Sequence, residues 1–300
     1  MAWPTLDWLP IPTLFRLAGR EFSAGQPAVM GIVNVNDDSF YAPARKSDAA
    51  AALQRVGELV EEGADIIDVG AVRAGQEGDW VDADAELARL LPVLTGIREQ
   101  FPDALISVDT WRSEVAAQLS GLVDIVNDTW AGHDPNLVTI AAEFGAGYVV
   151  SHTGGLPPRT DPVSIDYGAV GVVADVVREL ADGARRATEA GIAAERILVD
   201  PTLDFGKTTL NSLELVAATD VIVGLGFPVL MAISRKDFVG ETLDLSVEER
   251  LEGSLAATAI AGLLGATVFR AHDVAATRRV VNMTASIRGD RPPIKSERGR

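Results

Sequence analysis

Cysteine is absent from the 300 residues, which excludes disulfides and thiolate metal sites. Histidine is scarce, and its three scattered copies form no zinc-binding pattern. Positive charge is in deficit, with 26 Lys and Arg against 43 Asp and Glu. The resulting formal charge of −17 argues against a general nucleic-acid or anionic-membrane surface. An anionic small molecule stays open as a ligand if a few cations converge inside a cleft. No apolar run approaches a membrane span and no basic-then-apolar leader opens the chain, so the expected location is cytoplasmic. What is present is 47% hydrophobic and 23% charged, the composition of a soluble globular protein with room for one large domain or two ordinary ones.

The stretch from Arg196 to Lys207 carries the grammar of the whole chain. Ile197-Leu198-Val199-Asp200 is a short aliphatic run ending at a carboxylate, as expected of a strand buried on both faces. Pro201 then takes the chain out of the sheet. Gly206-Lys207-Thr208 suggests a phosphate loop, but that motif requires glycine where Pro201 stands. The same order of apolar strand, polar end, loop and helix recurs, with strands at 28–35, 65–69, 104–109, 123–128, 147–152, 196–200, 228–234 and 266–270. Helices are expected near 48–62, 82–99, from about 112, 135–144, 164–190, 209–219, 246–264 and 274–287. Eight such units predict a single (β/α)₈ TIM barrel, an α/β fold of about 250 residues. Before it, Leu14–Leu17 and Arg20–Phe22 read as a hairpin that plugs the end of the barrel away from the site, and Met1–Pro12 as a surface segment. The expected organisation is therefore a barrel over 1–288, including the 1–27 extension, and a disordered, solvated tail over 289–300.

Residues at the C-terminal ends of barrel strands point into one shared site. Here those ends are Asn34, Asp68, Asp109, Asn127 with Asp128, His152, Asp200, Lys236, and Arg270 with His272. Singly, each could merely cap backbone groups; together, so much buried charge is costly unless a ligand or a pairing network uses it. Asp109, Asn127 and Asp200 can accept from ring N–H and amino groups, and Lys236 offers a donor to a ring carbonyl or nitrogen. Arg270 and His272 supply cationic donors, although Arg270 could equally serve an ion pair with Asp273 or Asp68. Asn34 is a neutral oxygen ligand suited to a magnesium ion that keeps water or phosphate. The set fits a flat, nitrogen-rich heterocycle carrying a phosphate or pyrophosphate.

Several of these segments resemble dihydropteroate synthase. They include Gly31-Ile32-Val33-Asn34-Val35 with Asp38-Ser39-Phe40, Gly63 through Gly70, Ile106 through Thr110, and Asn127-Asp128. Asp200-Pro201 through Phe205-Gly206-Lys207, Ser234-Arg235-Lys236, Gly253 through Ala257, and Arg270-Ala271-His272-Asp273 follow in the same order. The resemblance runs in register from about Leu14 to residue 285. It implies a family that joins a dihydropterin pyrophosphate to p-aminobenzoate and releases pyrophosphate. Carried over, Asp109, Asn127, Asp200 and Lys236 would hold the pterin, with Phe205 lining the pocket. Arg270 and His272 would bind pyrophosphate, Asn34 would touch Mg2+, and Lys236, Arg270 and His272 would carry the catalysis. A homodimer through the last helices is also implied, with no nucleic acid and no membrane as partner.

The departures from the family pattern cluster in two loops. The family reads Asn-Val-Thr-(Pro or Asp)-Asp-Ser-Phe, whereas Asn36-Asp37 stands at the Thr-Pro place and Tyr41-Ala42-Pro43-Ala44 replaces a glycine-rich end. In the second loop, Gly70-Ala71-Val72-Arg73-Ala74-Gly75 stands where the family has Gly-Gly-Glu-Ser-Thr-Arg-Pro-Gly. The Ser-Thr pair is lost, and Arg73 matches the family arginine only across a two-residue deletion. Thr202 and Asp204 replace glycines, Thr153 replaces a pterin-lining methionine, and Asp237 sets an acid beside Lys236. The expectation is a homologue with a retained pterin pocket and impaired or absent activity. An active synthase, a methyl-folate methyltransferase and a binding or regulatory protein on the same scaffold are the alternatives.

Overall fold

In the computed structural model, which describes residues 13–35, 42–73, 75, 80–160 and 163–298, an antiparallel hairpin precedes the barrel. Its strands β1 (Phe15–Leu17) and β2 (Arg20–Phe22) place Phe15 opposite Phe22. Eight parallel strands follow: β3 (Ala28–Asn34), β4 (Ile66–Gly70), β5 (Leu105–Asp109), β6 (Ile125–Asp128), β7 (Gly147–Ser151), β8 (Ile197–Asp200), β9 (Leu230–Ala232) and β10 (Val268–Ala271). They run in the order β8-β7-β6-β5-β4-β3-β10-β9. A parallel bridge between Val199 and Val229 closes the ring, where Val199 N donates to Pro228 O at 3.0 Å. The eight-stranded barrel and its hairpin are thus as the sequence predicts. The expectations for Met1–Pro12 and for the loop at Asn36–Tyr41 concern segments outside the described residues.

The helices are α1 (Ala42–Glu61), α2 (Ala83–Gln100), α3 (Ser113–Ala116), α4 (Leu137–Phe144), α5 (Val172–Glu189), α6 (Thr209–Ala217), α7 (Thr219–Val223), α8 (Asp237–Leu243), α9 (Leu251–Leu263) and α10 (Val274–Arg288). Three differ in kind from expectation, one being α7, a separate short helix after α6 where a single helix near 209–219 is expected. The helix expected from 164 begins at Val172, because Gly168 and Gly171 have φ of 55° and 78° and interrupt right-handed helix. The chain after β9 makes an extra helix, α8, seated directly on Lys236.

Side chains alternate across each strand, and this parity sorts the interior. Met30, Ile66, Leu105, Ile125, Val149, Leu198, Leu230 and Val268 form an apolar layer inside the barrel, sealed from below by Phe15, Leu17 and Phe22. Their intervening neighbours, such as Val29, Ile67, Ile106 and Val199, face outward onto Val56, Leu90, Leu180 and other helix residues. Asp65 fixes the bottom: it accepts from Val29 N at 3.0 Å and pairs with Arg20 at 2.9 Å and with Arg278. Two residues above the apolar layer the parity delivers Asp68, Ser107, Asn127, Asp200 and Arg270, so the polar floor of the site rests on a dry plug.

Candidate functional site

Asp68 is fully buried at the centre of this floor. Its Oδ1 accepts from Ser107 Oγ at 2.6 Å, and its Oδ2 from Arg270 Nε at 2.7 Å. Asn127 Nδ2 adds longer contacts at 3.3 and 3.4 Å. Arg270 also reaches Asp109 through Nη2 at 3.1 Å, while Thr129 Oγ1 donates to the other oxygen of Asp109 at 2.8 Å. One guanidinium therefore serves two carboxylates. Burial pushes Asp109 up to about 7, with Asp68 as a nearby like charge and Arg270 working in the opposite direction. Asp200 is raised by burial as well, against Lys236 and the amide of Thr202, which donates to it at 2.7 Å.

The loop after β8 forms the other wall. Thr202 and Asp204 adopt φ of 52° and 72°, left-handed values that glycine accepts without a Cβ clash. Each holds its place through hydrogen bonds. Thr202 Oγ1 accepts from His152 N at 3.1 Å and donates to Asp200 O at 3.0 Å. Asp204 accepts from the amides of Asp237 and Phe238 at 2.8 and 3.3 Å, joining the loop to the start of α8. Gly206 has no such freedom of identity, since a Cβ there would meet Thr153 O at 2.5 Å. Lys207 is a buried strut whose Nζ donates to the carbonyls of His152, Thr202 and Phe205 at 2.9, 2.9 and 2.8 Å. Lys236 lies 5.1 Å from the Phe205 ring centroid and donates to Leu203 O. Burial lowers its pKa, opposed by Asp204 and Asp200.

Asn34, Asp109, Asn127, Asp200, Phe205, Lys236 and Arg270 line a single cavity of about 270 Å³. His272 lines an adjoining cavity of about 380 Å³ that shares Phe205, Lys236 and Arg270 with the first. Burial, then Arg270, lowers the His272 pKa, with Asp273 working in the opposite direction. Arg73 lines the first cavity, which places the second-loop arginine at the site despite the shortened sequence around it. Two strand-end residues do not share the site. Asp128 turns outward, one residue out of phase with Asn127, and accepts from Tyr148 Oη at 2.6 Å. His152 likewise turns away, placing Nε2 3.1 Å from Asp175 on α5. Thr153 lines the cavity beside His152, not the one holding Asp109. Of the two partners open to Arg270, Asp68 has it, and Asp273 pairs instead with Arg235 at 2.8 Å. Asp237, the acid beside Lys236, pairs with Arg250 at 2.8 Å. Ser107 and Thr129 were legible only through the period-two register, two residues from Asp109 and Asn127 respectively.

A buried carboxylate–amide floor, one ammonium and one guanidinium make a receptor for a heterocycle rich in donors. The comparisons agree with that geometry. Residues 30–272 match the family described as pterin binding enzyme. The chain belongs to that family, as a dihydropteroate synthase homologue. It is 50% identical over 287 residues to the "Inactive dihydropteroate synthase 2" of Mycobacterium leprae, covering 94% of this chain and 98% of that protein. The dihydropteroate synthase of Bacillus subtilis is 35% identical over 85% of this chain and 86% of its own length. Among solved structures, the Xanthomonas albilineans dihydropteroate synthase with 4-aminobenzoic acid superimposes with a TM-score of 0.81 at 33% identity, covering 92% of this chain and 98% of that one. Among the described residues no helix is long and apolar enough to cross a membrane.

Proposed function

We propose that this dihydropteroate synthase homologue binds a pterin in the Asp109–Asn127–Asp200–Lys236 cavity and is impaired or inactive in joining dihydropterin pyrophosphate to p-aminobenzoate. The observation that carries the pterin assignment is the convergence of two raised carboxyls, one amide and one ammonium on a cavity closed by Phe205. In the family reaction the carbon–oxygen bond to pyrophosphate breaks, and the amine forms the new carbon–nitrogen bond and loses a proton. Charge building on pyrophosphate needs cations. Here Arg270 is already shared between Asp68 and Asp109, so His272, Lys236 and Arg73 are the further groups lining these cavities that could meet it.

The loss of activity rests on two supports: the name borne by the 50% identical mycobacterial relative, and the altered loops at Asn36-Asp37 and Ala71-Val72-Arg73. Magnesium would arrive with the pyrophosphate. Among the described residues no cluster of three acids or histidines could hold a metal, and Asn34 offers a single amide oxygen at the cavity rim. That donor set suits a cation that brings its own phosphate oxygens. A cytoplasmic homodimer fits the exposed Ile260, Met283 and Ile287 on α9 and α10. Calorimetry with a pterin, together with a pyrophosphate-release assay with and without p-aminobenzoate, tests both halves. Equal pterin affinity in Asp200→Ala and the parent removes the pocket assignment, and ordinary turnover removes the impairment and leaves an active synthase.

A further inference from the structure

Asp68 belongs to the polar floor but does not line the cavity that rests on it. It is 0% exposed, yet two of the side chains bonded to it, Asn127 and Arg270, do line that cavity. Sheet register puts it in this position. Asp68 on β4 stands opposite Ser107 on β5, and two residues further along β5 Asp109 stands opposite Asn127 on β6. Ser107 Oγ donates to the carboxylate at 2.6 Å, tying it to the neighbouring strand. Arg270 Nε at 2.7 Å and Asn127 Nδ2 at 3.3 and 3.4 Å are the cavity-lining groups that reach it.

As the ion-pair partner of a guanidinium, the Asp68 carboxylate accepts hydrogen bonds and donates none. That decides the orientation of the Asn127 amide. Turned the other way, Asn127 Oδ1 would lie against two carboxylate oxygens, setting negative atoms together. Nδ2 therefore takes the place beside Asp68, and Oδ1 is the atom left for a ligand. Oδ1 accepts no hydrogen bond among the described residues. Arg270 is fixed by two anchors, Nε on Asp68 and Nη2 on Asp109, which set the plane of its guanidinium. A residue out of a ligand's reach thus orients two residues within it.

We propose that Asp68 is a positioning residue that sets the specificity of the site: by fixing the Asn127 amide and the Arg270 guanidinium, it makes the pocket prefer a ring edge that carries N–H donors. The inference rests on the pterin reading above and names what enforces its selectivity. A 2-amino-4-oxopteridine (pterin) offers an amino group to Asn127 Oδ1. A 2,4-dioxopteridine (lumazine) puts a carbonyl oxygen where that amino group stood, and two acceptors then face each other. Asp68→Asn is nearly isosteric but carries donors of its own. With it, the Asn127 amide is free to reverse and offer Nδ2 to the lumazine carbonyl.

The test is calorimetry of the parent, Asp68→Asn and Asp65→Asn with pterin and with lumazine, reading the ratio of the two dissociation constants. The parent should prefer pterin by about tenfold or more. Asp68→Asn should bring the ratio toward one, chiefly by gaining affinity for lumazine. Asp65→Asn, which breaks ion pairs at the far end of the barrel, should keep the parent ratio. A merely structural Asp68 would weaken both ligands alike, so an unchanged ratio in Asp68→Asn overturns the proposal, as does a ratio lost equally in Asp65→Asn. Amide NMR of the parent tests the same point without the Asp68 variant having to fold. The Asn127 side-chain amide protons, assigned by their loss in Asn127→Asp, should be protected from solvent exchange before any ligand is added, and rapid exchange overturns the proposal. A parent that binds neither ring removes the pterin reading and this inference together. Pterin binding with equal affinity for lumazine removes this inference alone.

Discussion

Thr202 and Asp204 show how a single loop can exchange conformational ease for anchoring. A non-glycine residue in the left-handed region costs about 1–2 kcal/mol, and the side chains that incur the cost also make the hydrogen bonds that offset it. Asp204→Ala keeps the strain and loses the bonds, whereas Asp204→Gly loses the bonds and the strain together. Urea denaturation should therefore find Ala less stable than Gly by about 1 kcal/mol at this position. Equal stabilities would mean that the backbone here is not strained. Asp109 gives a pH prediction with a definite sign. Its folded pKa, about 7, lies above the usual 3.8, so between those values the folded state holds the extra proton. That contribution is fully present below about 4 and is lost as pH rises toward 7. The stability of Asp109→Asn relative to the parent should accordingly rise with pH across this window, and a flat difference would refute the raised pKa. Sequence could nominate Asp109 and Asp200 because each ends an apolar run. It could not separate Asn127 from Asp128, since adjacent residues face opposite sides and only the inward phase of Ile125 settles which one enters. The same ambiguity placed His152 in the mouth.

Among the elements, the hairpin carries the most consequence for its six strand residues. Phe15 and Phe22 are 0% and 1% exposed, with ring centroids 5.8 Å apart and planes at 21°. They cap the same apolar layer on which Asp68 and Asn127 stand. Phe22→Ala should cost about 3–5 kcal/mol in urea unfolding, as expected for an unfilled aromatic cavity. Pterin affinity of the folded protein should stay near the parent's, because Leu105, Ile125 and Leu198 lie between the plug and the polar floor. A large affinity loss in calorimetry would show that the plug shapes the site. The order of elements was legible because aliphatic strands and polar loops alternate at a steady pitch. The start of α5 was not, because apolar periodicity does not register the left-handed turns at Gly168 and Gly171. Nor was α8, which has seven residues and takes its anchor from Asp204, a residue 33 positions earlier.

At the scale of the whole molecule, the barrel sets residues fixed by the sheet register apart from the segments that follow its strands. The polar floor, Asn34 and Arg270 are strand residues whose positions the sheet register dictates, while the departures from the family pattern fall in the segments of sequence that follow β3 and β4. Divergence can therefore remove turnover and leave the floor intact. In this chain Asn36 stands where the family has threonine, and the Ser-Thr pair beside Arg73 is missing. Loss of one transition-state donor typically slows a reaction by ~10²–10³. Because residues of a closing loop act as a unit, two losses need not multiply, and restoring one alone should recover little. The expected outcome is that dihydropteroate formation by the parent falls far below the ordinary enzymatic range of ~1–10³ s⁻¹. A variant with either loop rebuilt to the family pattern should remain poor, and the variant with both rebuilt should recover measurable product. Steady-state assays on the four proteins check this directly. Turnover in the ordinary range by the parent would show that Arg73 and backbone donors replace the lost hydroxyls. Failure of the double variant, with pterin binding intact, would move the defect from the loops to the Arg270 cluster, where one guanidinium is divided between Asp68 and Asp109.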